Sequence, residues 1–500
     1  MTLEPKILRI DTRDNVAVAL TDFRPGEAIL HDGVRLQATA PISAGHKMAL
    51  ACIERGKPVT KYGHPIGTAL DTIRPGDWVH THNLASALSG IEEYPYAPKA
   101  YEMPAPAVTS FDFQGYLRKD GRAGIRNEIW IIVTVGCCNP VAETLVREAG
   151  AVFAGRSIDG VFHFPHPFGC SQLGGDLQNS QRILAGLVNH PNAGGVLVMG
   201  LGCENNHIDA FKTAIGEYDP RRVKFFNLQE AEDEVEQGLA LLETLVKQVE
   251  TEKRQRLTAD KLVLGFKCGG SDAFSGITAN PLLGEIADTL VQLGASAVLT
   301  EVPEMFGAET ILMNRCINLR VHDKAVSMIN EFKAYFLRHG QPVYENPSPG
   351  NRAGGITTLE EKSLGCIRKG GRSPVVDVRG YGEQIVTQGL NLLDGPGNDI
   401  VSTTALAAAG AQLVLFTTGR GTPLGGPVPT LKVSSNSALF VRKKRWIDFD
   451  AGRLLKGETM AALSAELLQS IGDIASGRTQ CRNEVMGSRQ IAIFKDGVTL

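Results

Sequence analysis

From residue 113 onward the chain alternates short apolar runs with amphipathic stretches. This alternation restricts the fold more than any other feature of its 500 residues. Candidate strands cover 129–135, 161–164, 196–199, 223–227, 262–266, 297–300, 413–417 and 491–494, and helical periodicity fills intervals such as 230–249 and 281–293. A repeated β-α order predicts a mostly parallel, Rossmann-like sheet with helices on both faces. The chain is too long for one ordinary core, so the α/β body is expected as two units, 113–255 and 256–500, parted near the charged stretch VETEKRQRLTADK. Residues 1–90 read differently. Alternating runs such as NVAVAL and HKMALACI, broken by PG, DG and AG turns, predict a small all-β domain. Within it FRPGEAI and IRPGDWV look like copies of one turn-to-strand unit. Residues 91–112 are proline-rich and aperiodic, as an extended linker would be. The stretch 341–400 is rich in Gly, Pro, Asn and Ser, and is too long for an idle connection. It is a candidate active-site wall.

Composition narrows the function. Apolar residues make up 43% and charged residues 21%, which describes a globular chain and not a disordered one. A net charge of −3 offers no basic stripe for nucleic acid. No apolar run approaches the roughly 18 residues of a membrane span, and MTLEPKILRIDTRDN has no signal-peptide core. Nine cysteines, an odd number scattered along the chain, do not form a secreted disulfide framework, so reduced thiols in a cytoplasm are expected. P-loop, nucleophile-elbow, HExxH and paired CxxC motifs are all missing.

Chemistry must therefore come from loops at strand ends. Cys137 (VTVGCCN), Cys170 (HPFGCSQ), Cys203 (VMGLGCENN) and Cys268 (LGFKCGGSD) each close an apolar run beside polar groups. GLGCENNH lacks the third glycine of a dinucleotide fingerprint, so Cys203, Glu204 and Asn205 read as a pocket mouth or a capped helix start instead of a nucleotide site. KCGGSDAFSGITANP offers Cys268, Ser271, Asp272 and Asn280 to a ligand. LTEVPEMFGAE adds Glu301 and Glu304, two carboxylates suited to a divalent cation or to base work, with solvated loop acids as the bland alternative. TTGRGTPLGGP places Arg420, Gly421 and Thr422 as a carboxylate cradle or an ordinary glycine turn, and Asn346, Asn351, Lys362 and Ser363 are candidate polyol contacts, with a structural loop as the stronger alternative. A second metal site on His46, His80 and His82 weighs evenly against ordinary hydrogen-bonded histidines. Together these features describe a polar pocket for a small polyhydroxylated acid.

GYLRKDGRAGIRNEIWIIVTVGCCN, FGCSQLGGD, VLVMGLGCENN, CGGSDAFSGITANP, LTEVPEMFGAE, YENPSPGN, GGITTLEEKSLGC, LNLLDGPGND and FTTGRGTPLGG resemble the altronate/galactarate dehydratase family over nearly the whole chain. GHKMAL, KYGHPIG and VHTHN resemble that family's SAF domain, a β-clip. The resemblance implies a cytoplasmic hydro-lyase, a homodimer with a candidate dimerisation region in 113–255, and a divalent metal, typically Fe2+, with Mn2+ or another ion as alternatives. It implies D-altronate as substrate, with galactarate as the alternative; a small β domain joined to an α/β body leaves a non-catalytic sugar-acid binding protein as the remote rival. The residues of the strand-end loops, rather than the resemblance, make Glu301, Glu304, Cys203 and Cys268 the expected metal ligands or catalytic groups, with Asp272 beside them. Asn205, Ser271, Asn280, Lys362, Arg420, Gly421 and Thr422 are the expected substrate contacts. His64 is given no role. An iron–sulfur cluster on Cys137 or Cys138 with Cys170, Cys203 and Cys268 is disfavoured, because these residues are dispersed rather than held in one ligand run.

Overall fold

The computed structural model describes residues 6–99, 102–103 and 105–500. The N-terminal domain is all-β and antiparallel. One sheet orders Ile7–Leu8, Val16–Ala19, Lys47–Ala49 and Trp78–Val79, another Pro58–Lys61, His64–Ala69 and Leu84–Ala85, and a hairpin joins Ala28–His31 to Val34–Gln37. The suspected repeat is real and larger than expected. Phe23, Ile42, Ile53 and Ile73 occupy equivalent places, with Phe23 bridged to Ile42 and Ile53 to Ile73. Three residues after each comes a glycine with φ of 84°, 87°, 80° and 90° (Gly26, Gly45, Gly56, Gly76). Each turn needs a left-handed residue there, which glycine supplies without a Cβ clash. The copies at Ile42 and Ile53 lack the RPG signature, which hid them in the sequence.

The body holds two parallel sheets, as the β-α alternation predicted. The first orders Val161–His163, Glu128–Val133, Ala193–Gly200 and Val223–Asn227. The second has seven strands, in the order Val375–Arg379, Gly389–Leu393, Ser296–Leu299, Val263–Cys268, Leu413–Thr418, Thr430–Ser434 and Phe449–Asp450. The central strands are apolar and buried throughout, as both faces are covered by helices. The two sheets share a core in which Trp130, Ile183 and Leu184 join Val298, Leu393 and Ala405. Gly186 lets the helices Gly174–Val188 and Asp399–Ala408 touch backbone to backbone: a Cβ there would lie 2.3 Å from the Ala408 carbonyl oxygen. Among the described residues no helix is long and apolar enough to cross a membrane.

One expectation fails. No strand forms over 491–494; Ile491 and Ile493 are buried but irregular, and the segment runs on to bridge Thr499 with Gln172. The stretch 341–400 is, as expected, no idle connection: two strands of the large sheet and the helix Leu359–Cys366 lie in it. Its glycines and prolines masked these short buried strands.

The N-terminal domain is locked to this helix by buried charge. Glu361 accepts from Lys47 Nζ and Lys61 Nζ, both at 2.8 Å, and all three side chains are at most 1% exposed. Lys47 also donates to Gly355 O and Thr357 Oγ1. On the same helix Ser86 and Ala87 donate to Glu360, and Thr358 to Ile66 O. E361Q strands two ammonium groups in the interior, and should cost about 3–5 kcal/mol in urea unfolding. Burial pushes the Glu361 carboxyl up, but Lys47 and Lys61 outweigh it and hold it at about 2, below the ordinary 4.5. Its stabilisation is therefore full above about pH 4.5 and fades as pH falls toward 2. Acid-induced detachment of the domain, followed by limited proteolysis, should begin in that window in the wild type and at neutral pH in E361Q.

Candidate active site

The site lies at the C-terminal edge of the seven-stranded sheet, where open α/β sheets take ligands. Cys268 ends the central strand Val263–Cys268. The neighbouring strand Ser296–Leu299 runs into Glu301, which adopts a left-handed φ of 70°. That is a strained conformation for a non-glycine residue. It starts the short turn Val302–Glu304, so that Glu301 and Glu304 point to different depths. The third contributor is the helix Leu359–Cys366. Thr358 caps it by accepting from Glu361 N, and Glu360 and Glu361 favour its positive end. Spacing i,i+4 then puts Lys362 and Cys366 on one face.

These elements bring two thiols and a carboxylate into a closed triangle. Cys268 Sγ and Cys366 Sγ are 3.3 Å apart, and they lie 3.1 and 3.2 Å from Glu304 Oε2. Among the described residues this is the single group of metal-ligating side chains close enough to share one ion. Glu304 Oε1 accepts from Lys362 Nζ at 2.7 Å, and Lys362 also reaches Asn346 Oδ1 at 3.0 Å. Behind the triangle Glu301 Oε2 accepts from the Cys268 N–H (2.9 Å) and Lys369 Nζ (3.1 Å), while Glu301 Oε1 pairs with Lys267 Nζ at 3.1 Å. Lys267 also pairs with Asp399 at 2.7 Å. Burial raises Glu301, and the two lysines only partly offset it. Burial acts the same way on Glu304, but Lys362 and Lys369 overcome it and hold this carboxyl low. Cys366 is pushed well up by its hydrogen bond with Cys268 and by burial.

The donor set fits a borderline divalent ion. Three lysines (Lys267, Lys362, Lys369) balance three carboxylates (Glu301, Glu304, Asp399), so the cluster is neutral while both thiols keep their protons. An M2+ ion that displaces two thiol protons leaves that balance unchanged. Metal bonds of about 2.0–2.3 Å need ligand separations of roughly 3.3–3.8 Å, a few tenths of an ångström beyond those present. The triangle faces a cleft of about 800 Å³, whose wall includes Asn346, Ser348, Asn351, Arg352, Asp399 and Thr422. Within that wall Arg352 and Lys362 are the cationic groups, and Arg352 Nε has no hydrogen-bond partner.

The expected site residues thus divide. Cys268, Glu304, Lys362 and Thr422 line the cleft. Glu301 lies behind it. Asp272 is consumed as a staple, accepting from Ser275, Ser435 and Asn436. Asn280 spends both ends of its amide on Gly365 O and Thr417 Oγ1. Ser271 is buried, its carbonyl held by Asn351. Arg420 is exposed and outside the wall, where its N–H bonds Gly270 O, and Gly421 packs toward Leu439 and Trp446. Arg352 supplies the cation expected from Arg420. Cys203 and Asn205 belong to the other sheet and do not reach the cleft. His46, His80 and His82 do not converge on one ion. They pack around Trp78, whose Nε1 donates to His46 Nδ1, while His80 Nδ1 bonds Thr357 Oγ1. Cys366 and Asp399 were not expected. The T-x-x-E box at Thr358–Glu361, which opens a helix with Lys362 and Cys366 on one face, is the signal that could have found Cys366.

Three family models match the chain in succession. Residues 5–87 match the Altronate/galactarate dehydratase SAF domain, 115–250 the D-galactarate dehydratase/Altronate hydrolase second domain, and 259–499 the D-galactarate/Altronate dehydratase C-terminal domain. The chain is 50% identical over 494 residues to the altronate dehydratase of Escherichia coli (strain K12), covering 99% of both. It is 49% identical over 498 residues to the altronate dehydratase of Bacillus subtilis (strain 168), again covering 99% of both. Identity to the galactarate dehydratase (L-threo-forming) of Escherichia coli (strain K12) is 32%, over 97% of this chain and 96% of the relative.

Proposed function

This chain belongs to the altronate/galactarate dehydratase family, and from that membership we propose that its cleft dehydrates D-altronate to 2-dehydro-3-deoxy-D-gluconate, in the cytoplasm. The observation that carries the chemistry is the buried thiol–thiol–carboxylate triangle facing a polar cleft. Cys268, Cys366 and Glu304 would hold the metal, Fe2+ first and Mn2+ as the alternative. Bound there, a divalent ion supplies Lewis-acid charge stabilisation beside the substrate carboxylate.

The chain's own groups do the rest. Arg352, whose buried Nε has no hydrogen-bond partner and whose Nη2 donates to Glu345 O, lies in the cleft wall and pairs with the C1 carboxylate. Asp399 lines the cleft, with its Oδ1 held by Lys267 and its Oδ2 edge toward Gly269, and it takes the C2 proton. Glu304 keeps Lys362 in its ammonium form, well above the ordinary range against the pull of burial. Lys362 Nζ delivers a proton to the C3 hydroxyl as its C–O bond breaks. The C2–H electron pair becomes the C2–C3 double bond, water leaves, and the enol gains a proton at C3 to give the 2-keto acid.

Altronate carries one carboxylate and galactarate two. With Lys362 already paired to Glu304, the wall offers one unpaired cation, Arg352, which suits the monoacid. R352A should raise KM for D-altronate by about 10–100-fold, the loss of one charged hydrogen bond worth roughly 1.5–3 kcal/mol, with a smaller change in kcat. The test of the reading is anaerobic turnover with iron(II), offering D-altronate and galactarate side by side. Altronate should be preferred and a chelator should stop the reaction; preference for galactarate would reassign the substrate, and turnover of neither would remove the proposal.

A further inference from the structure

Three exposed thiols at the edge of the four-stranded sheet stand outside the cleft chemistry. Cys137, Cys170 and Cys203 are free and exposed. Each leaves the C-terminal end of a different strand of the four-stranded parallel sheet: Glu128–Val133, Val161–His163 and Ala193–Gly200 in turn. From its first strand this sheet grows to one side with Val161–His163 and to the other with Ala193–Gly200. The crevice beyond the carboxyl ends at such a reversal is where open α/β sheets bind ligands. Cys137 and Cys203 follow the two strands that flank it, and Cys170 follows the next.

The three loops are laced together. Gly136 N donates to Phe168 O at 2.9 Å, Asn206 N to Gly169 O at 3.0 Å, and Ser171 N to Asn205 Oδ1 at 2.9 Å. A Cβ on Gly169, which has φ of 102°, would lie 1.9 Å from Thr134 O, so only glycine lets Cys170 come this close to the Cys137 loop. Asn206, fully buried between the loops, donates to Thr134 O and leaves its Oδ1 without a partner. Cys138 lies under the same edge, where its thiol is pushed up to about 12 by burial first and then by Glu204, Cys137 and Cys203.

The three sulfurs do not form a single-ion sphere, since the one such grouping among the described residues is the triangle of the cleft. Nor can Cys268 join them, because it is buried in the other sheet against Cys366. Soft donors set wider than one ion requires, on three strand ends and open to solvent, suit a polynuclear centre. We propose that Cys137, Cys170 and Cys203 hold a four-iron, four-sulfide cluster at this sheet edge, separate from the metal of the cleft, with its fourth iron open to a non-protein ligand. Loading from a preformed cluster is a ligand exchange: each cysteine thiol passes its proton to the simple thiolate it displaces, and no electron moves.

The test uses the full chain, purified without oxygen and mixed with a synthetic four-iron cluster bearing small thiolate ligands, then desalted. Wild type should retain about four iron and four acid-labile sulfide per chain, with the visible absorption and reduced-state paramagnetic signal of such a cluster. C268S/C366S should retain as much. C137S/C170S/C203S should retain none while unfolding at the same temperature as wild type, because the three thiols are exposed. Retention by the triple variant equal to wild type, or no retention by wild type, would overturn the proposal.

Discussion

C366S should lower turnover of D-altronate about a thousandfold and release the activating metal, while leaving the fold intact. The thiol touches Cys268 and Glu304 at 3.3 and 3.2 Å, so its loss removes one of three donors from a site with no fourth side chain among the described residues to replace it. A thousandfold corresponds to about 4 kcal/mol of transition-state stabilisation, within what a Lewis acid beside a developing enolate supplies. The contrast is C481S, which removes a thiol that is equally buried but remote from the cleft. It should leave turnover near wild type. Metal content by elemental analysis, with kcat measured at saturating iron(II), separates the two. If C366S keeps both metal and rate, the triangle is structural.

The second large effect is expected from D399N, a drop in kcat of about 10²–10⁴ with KM little changed, as for loss of a general base. Asp399 opens the helix Asp399–Ala408 behind the cap Asn398, and one side of its carboxylate is fixed by Lys267. Asparagine keeps the shape and the hydrogen bond but cannot take the C2 proton. A merely positional role would leave the isotope effect unchanged. Here the effect of deuterium at C2 should rise in D399N, because proton abstraction becomes slower than every other step. Gly269 makes a separate prediction. A Cβ there would lie 2.4 Å from Asp399 Oδ2, so G269A should displace the carboxylate and lose rate in the same direction as D399N.

The class of fold was legible because parallel strands buried on both faces write themselves as unbroken apolar runs, as in GGVLVMG and LVLFTT. Val375–Arg379 and Gly389–Leu393 were not, because short strands set among Gly, Pro and Asn carry too little periodicity to stand out. In the candidate site, Cys268 and Glu304 could be read from the sequence, since each closes an element near a glycine, and Lys362 because it lies in the polar run GGITTLEEKS. Asp272 and Asn280 read just as well and serve packing instead, because a polar loop residue looks the same whether it faces ligand or a neighbouring loop. Cys366 and Asp399 lie 98 and 131 residues from Cys268, and only the folding of one sheet edge brings them to it. Arg352 was exchanged for Arg420 for the same reason: both lie in polar segments with a nearby glycine, and the direction of a side chain is a tertiary fact.

The most direct test of the central claim is a cobalt(II) titration of the anaerobic protein, followed by thiolate-to-metal charge-transfer absorption. Wild type should gain a near-ultraviolet band at one equivalent of cobalt that C366S and C268S/C366S, which do not retain the metal, both lack at that ratio, with the change in band intensity tracking the loss of altronate turnover. A double variant that shows the wild-type band, or a wild type that turns over altronate with cobalt and shows no sulfur band, would contradict a metal held by these two thiols.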